Sequence, residues 1–277
     1  MSGDVDHREL LRLAESVARE AAALVRERRR DGVEVTGTKS SDIDIVTRVD
    51  QESEDLIRRL ILDARPDDGF LGEEGHDEAG TSGVRWIVDP IDGTVNFLYG
   101  IPQYAISVAA ECDGVTVAGV VLDVAADAAY TAVRTTSADG ASLVDARREG
   151  VPLQVRGPAP LHQRLVATGF HYVTELRELQ AAAVGRLLPR VRDIRRLGAC
   201  ALDLCHVAEG RLDGYVEEGV KPWDHAAGAL VAEGAGARVE LLRGAGGNDL
   251  VLCAPAHGYD ALLDAVQEAG FTTPTGE

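Results

Sequence analysis

Hydrophobic residues recur at intervals of three and four along the first part of the chain. This spacing predicts an amphipathic helix over residues 7–30, and its basic end at 26–30 suits the negative end of a helix dipole. The apolar positions of this helix are Leu10, Leu13, Val17, Ala21 and Leu24. After a polar segment, Thr36 to Asp44, a second helical pattern covers residues 51–64, and Pro66 ends it because proline cannot continue a helix.

Short apolar runs separated by Gly and Asp-Gly turns come next. Runs of this length with such turns are typical of antiparallel strands joined in a meander. The predicted strands are 69–71, 85–88, 105–110, 115–122 and 129–133.

The pattern changes after about residue 150, where strand-like and helix-like segments alternate. The predicted strands are 165–168, 192–196, 214–217, 238–242 and 250–253, and the predicted helices are 174–188, 199–209, 224–234 and 255–269. Such alternation is typical of α/β structure. Prolines and glycines at 152–160 mark the boundary, so we expect an N-terminal α+β lobe over 1–150 and a C-terminal α/β lobe over 151–277.

Composition restricts the possible partners of this 277-residue chain. Acidic residues outnumber basic ones by 46 to 28, which gives a formal charge of −18. Such a surface repels nucleic acid and anionic membranes, so neither is an expected partner. A small anion could bind only where a local cation offsets the carboxylates, which is a first indication of bound metal.

The four cysteines and the polar N-terminus indicate in which cellular compartment the protein is expected. Cys112, Cys200, Cys205 and Cys253 form no CxxC pair and have mostly apolar neighbours, which predicts buried free thiols. The polar N-terminus predicts no signal peptide, and no apolar run is long enough to span a bilayer. We therefore expect a cytoplasmic protein.

The segment Trp86-Ile-Val-Asp89-Pro-Ile-Asp92-Gly-Thr94 carries the strongest chemical signal. An apolar strand delivers Asp89, and Asp92 returns to the same side after the turn at Pro90. Gly93 and Thr94 begin a predicted helix, whose free N–H groups favour a phosphate. Two carboxylates beside an anion site require metal ions between them, because they would otherwise repel the phosphate.

Two further acidic segments have both a structural and a chemical interpretation. Glu73, in Gly72-Glu-Glu-Gly75, is either a solvated loop acid or a carboxylate in a cleft. Asp224, in Trp223-Asp-His-Ala-Ala-Gly228, is either a helix N-cap or a metal ligand. Hard oxygen ligands of this kind suit Mg²⁺ or Mn²⁺ rather than zinc.

These three motifs, in this order and spacing, resemble the signature motifs of the inositol monophosphatase family. The resemblance runs from about Lys39 to the C-terminus. It implies an αβαβα layered sandwich, α/β in class, that forms homodimers. It also implies magnesium-dependent hydrolysis of a small phosphomonoester by metal-activated water, inhibited by lithium.

The resemblance also implies roles for individual residues. A first metal ion would be held by Glu73, Asp89 and the Ile91 carbonyl, a second by Asp89, Asp92 and Asp224, and a third, weaker ion would lie near Glu73. Thr94 and Glu73 would orient and activate the attacking water, and Asp50 would hydrogen-bond Thr94. Asp50 is also a possible helix N-cap. The implied phosphate- and substrate-binding residues are Asp92, Gly93, Thr94, Cys200, Glu217 and Asp224, with Glu217 on the substrate hydroxyls.

Some positions depart from the family pattern or leave alternatives open. Cys200 lies in Gly198-Ala-Cys-Ala201, where Gly-[Ser/Thr]-Ala-Ala is common, so the substrate is less certain than the chemistry. Lys39 is either a solvated loop lysine or part of the site, and His225 is expected to pack or to lie on a helix surface. Myo-inositol 1-phosphate is the leading substrate. The alternatives are histidinol phosphate, fructose 1,6-bisphosphate or a dinucleotide phosphate, and a non-catalytic regulator is a different class.

Overall fold

The computed structural model describes residues 5–31, 33–39, 45–137 and 139–273. Their α-helices are α1 (His7–Asp31), α2 (Arg48–Ala64), α3 (Thr94–Tyr99), α4 (Thr174–Leu187), α5 (Cys200–Ala208), α6 (Pro222–Gly234) and α7 (Tyr259–Ala269). Short 3₁₀ turns cover Leu161–Gln163, Leu188–Arg190 and Ala256–Gly258. Among the described residues, no helix has both the length and the apolar character needed to cross a bilayer.

The first sheet confirms the predicted antiparallel meander from residue 84 onward and extends it, but the prediction is wrong for the first strand, 69–71, which runs parallel to the second. Its strands are β3 (Gly69–Gly72), β4 (Asp77–Glu78), β5 (Val84–Asp92), β6 (Ala105–Cys112), β7 (Val115–Asp123), β8 (Ala128–Thr136), β9 (Ser142–Arg148) and β10 (Val151–Pro152). Their spatial order is β10-β9-β8-β7-β6-β5-β3-β4. All neighbours are antiparallel except β3 and β5, which run parallel. A separate hairpin pairs β1 (Val35–Thr38) with β2 (Ile45–Thr47).

The second sheet is mixed. Its strands are β11 (Leu165–Thr168), β12 (Asp193–Arg195), β13 (Gly214–Glu218), β14 (Ala237–Arg243) and β15 (Asp249–Pro255), in the order β12-β11-β13-β15-β14. Strand β11 is parallel to β12 and β13, whereas β15 is antiparallel to β13 and β14. The predicted alternation of strands and helices in this part of the chain is therefore confirmed.

Three clusters of buried side chains define five layers. Helices α1 and α2 pack on one face of the first sheet. Helices α5 and α6 share a core with both sheets and so lie between them. Helices α4 and α7 cover the far face of the second sheet. The order α-β-α-β-α confirms the predicted fold class. The division into lobes at residue 150 stays a prediction, since the central core contains residues from both halves.

Small residues allow the central helices to approach their neighbours closely. A Cβ atom at Gly119 of β7 would lie 3.0 Å from the Ala227 Cα atom of α6. A Cβ atom at Gly228 would lie 3.0 Å from the Ala201 carbonyl oxygen of α5. Contacts this short leave no room for a larger side chain. The Ala-Ala-Gly part of the third motif therefore has a packing role that is independent of chemistry.

Two predicted N-caps are wrong. Helix α2 begins at Arg48 and its N-cap is Thr47, so Asp50 occupies the third helical position and accepts the Thr47 N–H at 2.9 Å. Helix α6 begins at Pro222 after Lys221, and Asp224 again occupies the third position, accepting the Lys221 N–H at 2.6 Å. An acid at this position can bond back to the N-cap amide, as in a capping box. Both carboxylates fix a helix start without being its cap residue.

Candidate active site

A cleft of about 630 Å³ opens at the carboxyl ends of β3, β5, β11 and β13 and beside the starts of α3, α5 and α6. Of the predicted site residues, it is lined by Glu73, Asp89, Ile91, Asp92, Gly93, Thr94, Cys200, Glu217 and Asp224. Asp50 does not line the cleft and lies behind Thr94. Three widely separated sequence motifs therefore meet at one place. Residues 40–44 of the polar segment Thr36 to Asp44 lie outside the described residues.

Glu73, Asp89 and Asp224 form a compact group of carboxylates. Each offers one oxygen, and these oxygens lie within 4.8 Å of one another. Burial raises the pKa of Asp89 and of Asp224, and the nearby charge of Glu73 adds to both shifts. Like charges this close are costly unless a cation lies between them.

The chemistry of this group fits a hard divalent cation. Its donors are all carboxylate oxygens, which Mg²⁺, Mn²⁺ and Ca²⁺ prefer. The Glu73 Oε2 atom is buried and has no hydrogen-bond partner among the described residues. A buried polar atom without a partner is rare and indicates a missing ligand. Glu73 is therefore not a solvated loop acid, and the group could hold a metal ion.

Asp92 lines the cleft and also accepts hydrogen bonds from the backbone of α5. Its Oδ1 accepts the Cys200 N–H at 3.1 Å and its Oδ2 accepts the Ala201 N–H at 2.7 Å. Both amides belong to the first turn of α5, which has no side-chain cap of its own. Burial raises the pKa of Asp92 to about 7, although the two amides favour its charged form. Asp92 thus ties strand β5 to helix α5.

Thr94 connects the cleft to Asp50. Its Oγ1 lies 3.0 Å from Asp50 Oδ1 and 3.0 Å from the Ile91 carbonyl oxygen, so the hydroxyl can donate to either. The hydrogen bond between Asp50 and Thr94 is the one that the sequence predicts. Thr47 holds the other Asp50 oxygen through its amide and its hydroxyl. Burial raises the pKa of Asp50 to about 6, against the effect of these hydrogen bonds.

Gly93 makes the turn between Asp92 and helix α3 possible. Its φ is 91°, a left-handed conformation that glycine adopts without strain. A Cβ atom here would lie 2.8 Å from the Gln103 carbonyl oxygen. The next residue, Thr94, begins α3, and amides in a first helical turn have no partner within the helix. This part of the cleft can therefore offer N–H groups to an anion.

Glu217 and Cys200 also line the cleft. Glu217 Oε2 accepts the Tyr215 hydroxyl at 2.8 Å. Burial raises the pKa of Glu217, while the charge of Arg196 acts in the other direction. Burial also raises the pKa of the Cys200 thiol, so it stays protonated and is a poor nucleophile. Cys200 can therefore contribute shape to the site but not covalent chemistry.

Basic residues at the cleft offset part of its negative charge. The chain contains two lysines, Lys39 and Lys221, and both line the cleft together with Arg177 and Arg196. Lys39 Nζ lies 2.7 Å from Glu73 Oε1 and 2.6 Å from Glu74 Oε1. Burial opposes the charge of Lys39, but the two glutamates outweigh it and raise its pKa. Of the two interpretations of Lys39, the structure supports a place in the site.

His225 lies outside the cleft lining although it is adjacent to Asp224. Burial lowers its pKa to about 4, so the imidazole is neutral near pH 7. The expected packing role is consistent with this position on α6. Three of the four cysteines are buried, Cys112 is half-buried, and all four are free thiols, as predicted.

Sequence reasoning missed two residues of α2 that support the site. The Ser53 hydroxyl donates to the Pro90 carbonyl oxygen at 3.2 Å, and Glu54 bonds to the loop that carries Glu73. Both side chains are fully buried. A signal was present, because Ser53 interrupts the apolar stripe of Val49, Ile57 and Ile61 at a spacing of four.

The geometry can now be compared with known proteins. A model of the inositol monophosphatase family matches residues 6–270. This match covers nearly the whole chain. The chain belongs to the inositol monophosphatase family. It is therefore an enzyme, a phosphoric monoester hydrolase, and the family resemblance inferred from the motifs is confirmed.

Individual members of this family are similar over most of the chain. The inositol-1-monophosphatase SuhB of Mycobacterium tuberculosis is 48% identical over 278 residues, covering 95% of this chain and 94% of the relative. The solved structure of Mycobacterium tuberculosis SuhB covers 98% of this chain and all of its own, with a TM-score of 0.80 and 43% identity. A protein of Pasteurella multocida named Nus factor SuhB is 39% identical, covering 83% of this chain and 84% of the relative.

Proposed function

We propose that this member of the inositol monophosphatase family hydrolyses myo-inositol 1-phosphate to inositol and phosphate with Mg²⁺. The observation that carries the proposal is the group of Glu73, Asp89 and Asp224, in which Glu73 Oε2 is buried without a partner in the described part of the chain. Such a group is costly to keep unless it holds a cation. A regulator without catalysis would not need it, although relatives include a protein named as a Nus factor.

The chain offers ligands for two to three ions. Glu73, Asp89 and the Ile91 carbonyl would hold the first, and Asp89, Asp92 and Asp224 the second, with a weaker third site near Glu73. Oxygen ligands alone favour Mg²⁺, with Mn²⁺ as a possible replacement. When bound, such ions neutralise the phosphate and make a water molecule acidic enough to react near neutral pH.

Residues of the chain then position the reactants. Thr94 and Glu73 would orient the attacking water. Asp50 would accept a hydrogen bond from the Thr94 hydroxyl, whose oxygen lies 3.0 Å from Asp50 Oδ1. The amides of Gly93 and Thr94 would bind the phosphate oxygens that do not react. Phosphoryl transfer depends mainly on such positioning and on charge stabilisation. No enzyme nucleophile is required, and the protonated Cys200 offers none.

The substrate side of the cleft favours a polyol. Glu217 lines the cleft, and its carboxylate can accept hydrogen bonds from sugar-ring hydroxyls. Lys221 and Arg196 add positive charge for an anionic ester. Histidinol phosphate, fructose 1,6-bisphosphate and a dinucleotide phosphate remain the alternative substrates within the same chemistry.

A comparison of substrates tests the proposal. Phosphate release should be measured with saturating Mg²⁺ on inositol 1-phosphate, histidinol phosphate, fructose 1,6-bisphosphate and a dinucleotide phosphate. We expect the highest kcat/KM for inositol 1-phosphate, and Glu217→Gln should raise KM for this substrate more than for histidinol phosphate. A higher kcat/KM for one of the other esters would show that this ester, and not inositol 1-phosphate, is the substrate. The proposed metal-dependent hydrolysis would stay the same.

Lithium should inhibit the enzyme. In the family, this small cation replaces Mg²⁺ beside the residues that match Asp92 and Asp224, and it binds best once product phosphate is in place. We therefore expect uncompetitive inhibition by LiCl at constant ionic strength, with KCl as the control because K⁺ is too large for the site. Equal responses to the two salts over a full titration would contradict the assignment of the second metal site.

The chain should form a homodimer. The family resemblance supports this expectation, and Tyr99 and Ile101 are large apolar residues left 75% and 49% exposed beside the end of α3. Light scattering at low micromolar concentration should report twice the chain mass of 29.4 kDa. A species of 29.4 kDa under these conditions would show that the expectation is wrong.

A further inference from the structure

Glu54 is a buried carboxylate beneath the loop that carries Glu73. It lies in α2, and its exposed fraction is 0%. The loop is the turn Gly72–His76, closed by a hydrogen bond of 2.7 Å from the Gly72 N–H to the His76 carbonyl oxygen. Glu54 does not line the cleft. It therefore contacts the loop from the side opposite to the carboxylate group.

The two Glu54 oxygens bond to the middle and to the end of this turn. Oε2 accepts the Glu74 N–H at 2.8 Å, and Oε1 lies 2.7 Å from His76 Nδ1. The carboxylate fills the space in front of Gly72, where even a Cβ atom would collide with it. On the other side, the Glu73 N–H donates to the Val88 carbonyl oxygen of β5 at 3.2 Å. Two backbone hydrogen bonds therefore hold Glu73 in place. Its own N–H donates to Val88, and the N–H of the next residue, Glu74, donates to Glu54.

Removing Glu54 would release one of these two restraints. The Glu74 N–H, which is part-buried, would lose its acceptor, and the turn could then change its conformation to find another partner. Glu73 is the adjacent residue, so its carboxylate would move relative to Asp89 and Asp224. Buried charges that make several hydrogen bonds commonly fix geometry in this way.

We propose that Glu54 is a positioning residue that holds the Glu73 carboxylate in place for divalent metal binding. The inference rests on the proposed metal site. It concerns a residue that touches neither the ions nor the substrate and acts only through the Gly72–His76 turn. The neighbouring Ser53 holds the Pro90 carbonyl at 3.2 Å, so one turn of α2 supports two of the three acidic segments.

The test is Mn²⁺ binding to the metal-free protein, measured by titration calorimetry without substrate. Glu54→Ala should weaken the tightest Mn²⁺ site by about 10- to 100-fold, the range found when partners that orient metal ligands are removed. Glu54→Gln should stay close to wild type, because its amide oxygen can accept the Glu74 N–H and its NH₂ group can donate to His76 Nδ1 in the tautomer that carries the proton on Nε2. Glu54→Asp keeps the charge but shortens the side chain, and it should also weaken binding.

Controls separate positioning from general stability. Ile61→Val removes one buried methyl group from the same helix and should lower the melting temperature without changing Mn²⁺ affinity. Wild-type affinity in both Glu54→Ala and Glu54→Asp would overturn the inference, as would an equal loss in Ile61→Val. If Glu54→Ala does not fold, Glu54→Asp and Glu54→Gln still decide the question. If the wild-type protein itself binds no Mn²⁺, the proposed function fails and not this inference alone.

Discussion

The Asp89→Asn variant should lose at least about 1000-fold in kcat, which corresponds to roughly 4 kcal/mol of transition-state stabilisation. Asp89 would contribute to both principal metal sites, so a neutral amide weakens both at once. The fold should survive, because Asn keeps an oxygen that can accept the Ile91 N–H, now bonded to Asp89 Oδ1 at 2.9 Å. Phosphate release from inositol 1-phosphate is the measurement.

A matched control for this variant lies in β9, one strand in from the edge of the first sheet. Asp145→Asn removes the same charge from β9, where the side chain is half exposed and pairs only with Arg147 among its described contacts. It should leave kcat unchanged, since surface ion pairs of this kind contribute little. Near-native turnover in Asp89→Asn, with a folded protein by circular dichroism, would mean that the ligand assignment is wrong.

The Asp92→Asn variant should lose activity to a similar degree and should be less stable than Asp89→Asn. The two Asp92 oxygens accept separate amides of α5, at 3.1 Å and 2.7 Å. Asn has one acceptor, so its NH₂ group would face an N–H donor. A buried donor left without an acceptor costs about 1–3 kcal/mol.

Denaturant unfolding of the metal-free proteins distinguishes the two acids. Burial and the charge of Glu73 raise the pKa of Asp89 above that of a free carboxylate. At pH values above the free carboxylate pKa, the ionised Asp89 side chain therefore destabilises the folded state. Burial also raises the pKa of Asp92, so both substitutions remove an unfavourable buried charge. Near pH 7 the free energy of unfolding of Asp92→Asn should therefore be lower than that of Asp89→Asn, because only Asp92→Asn leaves an α5 amide without its acceptor. If both variants unfold at the same denaturant concentration, Asp92 does not stabilise the start of α5 as described.

Features that depend on local patterns could be predicted from the sequence. The amphipathic spacing of α1 marks its buried face. Strands β5 to β8 are nearly continuous apolar runs, because both faces of their sheet are covered. The three acidic motifs predicted the site, because each places a carboxylate next to glycine or proline at the end of a strand or the start of a helix. That the three motifs meet at one site depends on the fold, and the fold was predicted from the family resemblance.

Features that depend on tertiary contacts could not be predicted. Strand β9 lies next to the edge of its sheet, so its sequence Ser-Leu-Val-Asp-Ala-Arg-Arg shows no clear alternation of buried and exposed residues. Asp50 and Asp224 resemble N-caps by type, and only the true helix starts show that they act from the third position. The partners of Lys39 and Glu54 lie 34 and 20 residues away along the chain, beyond any local pattern.

The most direct test is phosphate release from inositol 1-phosphate as a function of free Mg²⁺, after the protein has been stripped with a chelator. The carboxylate group of Glu73, Asp89 and Asp224 cannot accept a phosphate ester unless its charge is offset. We therefore predict no measurable release without Mg²⁺ and a saturable rise when it is added. Full activity that persists in the stripped protein with chelator present would contradict the proposed role of this site.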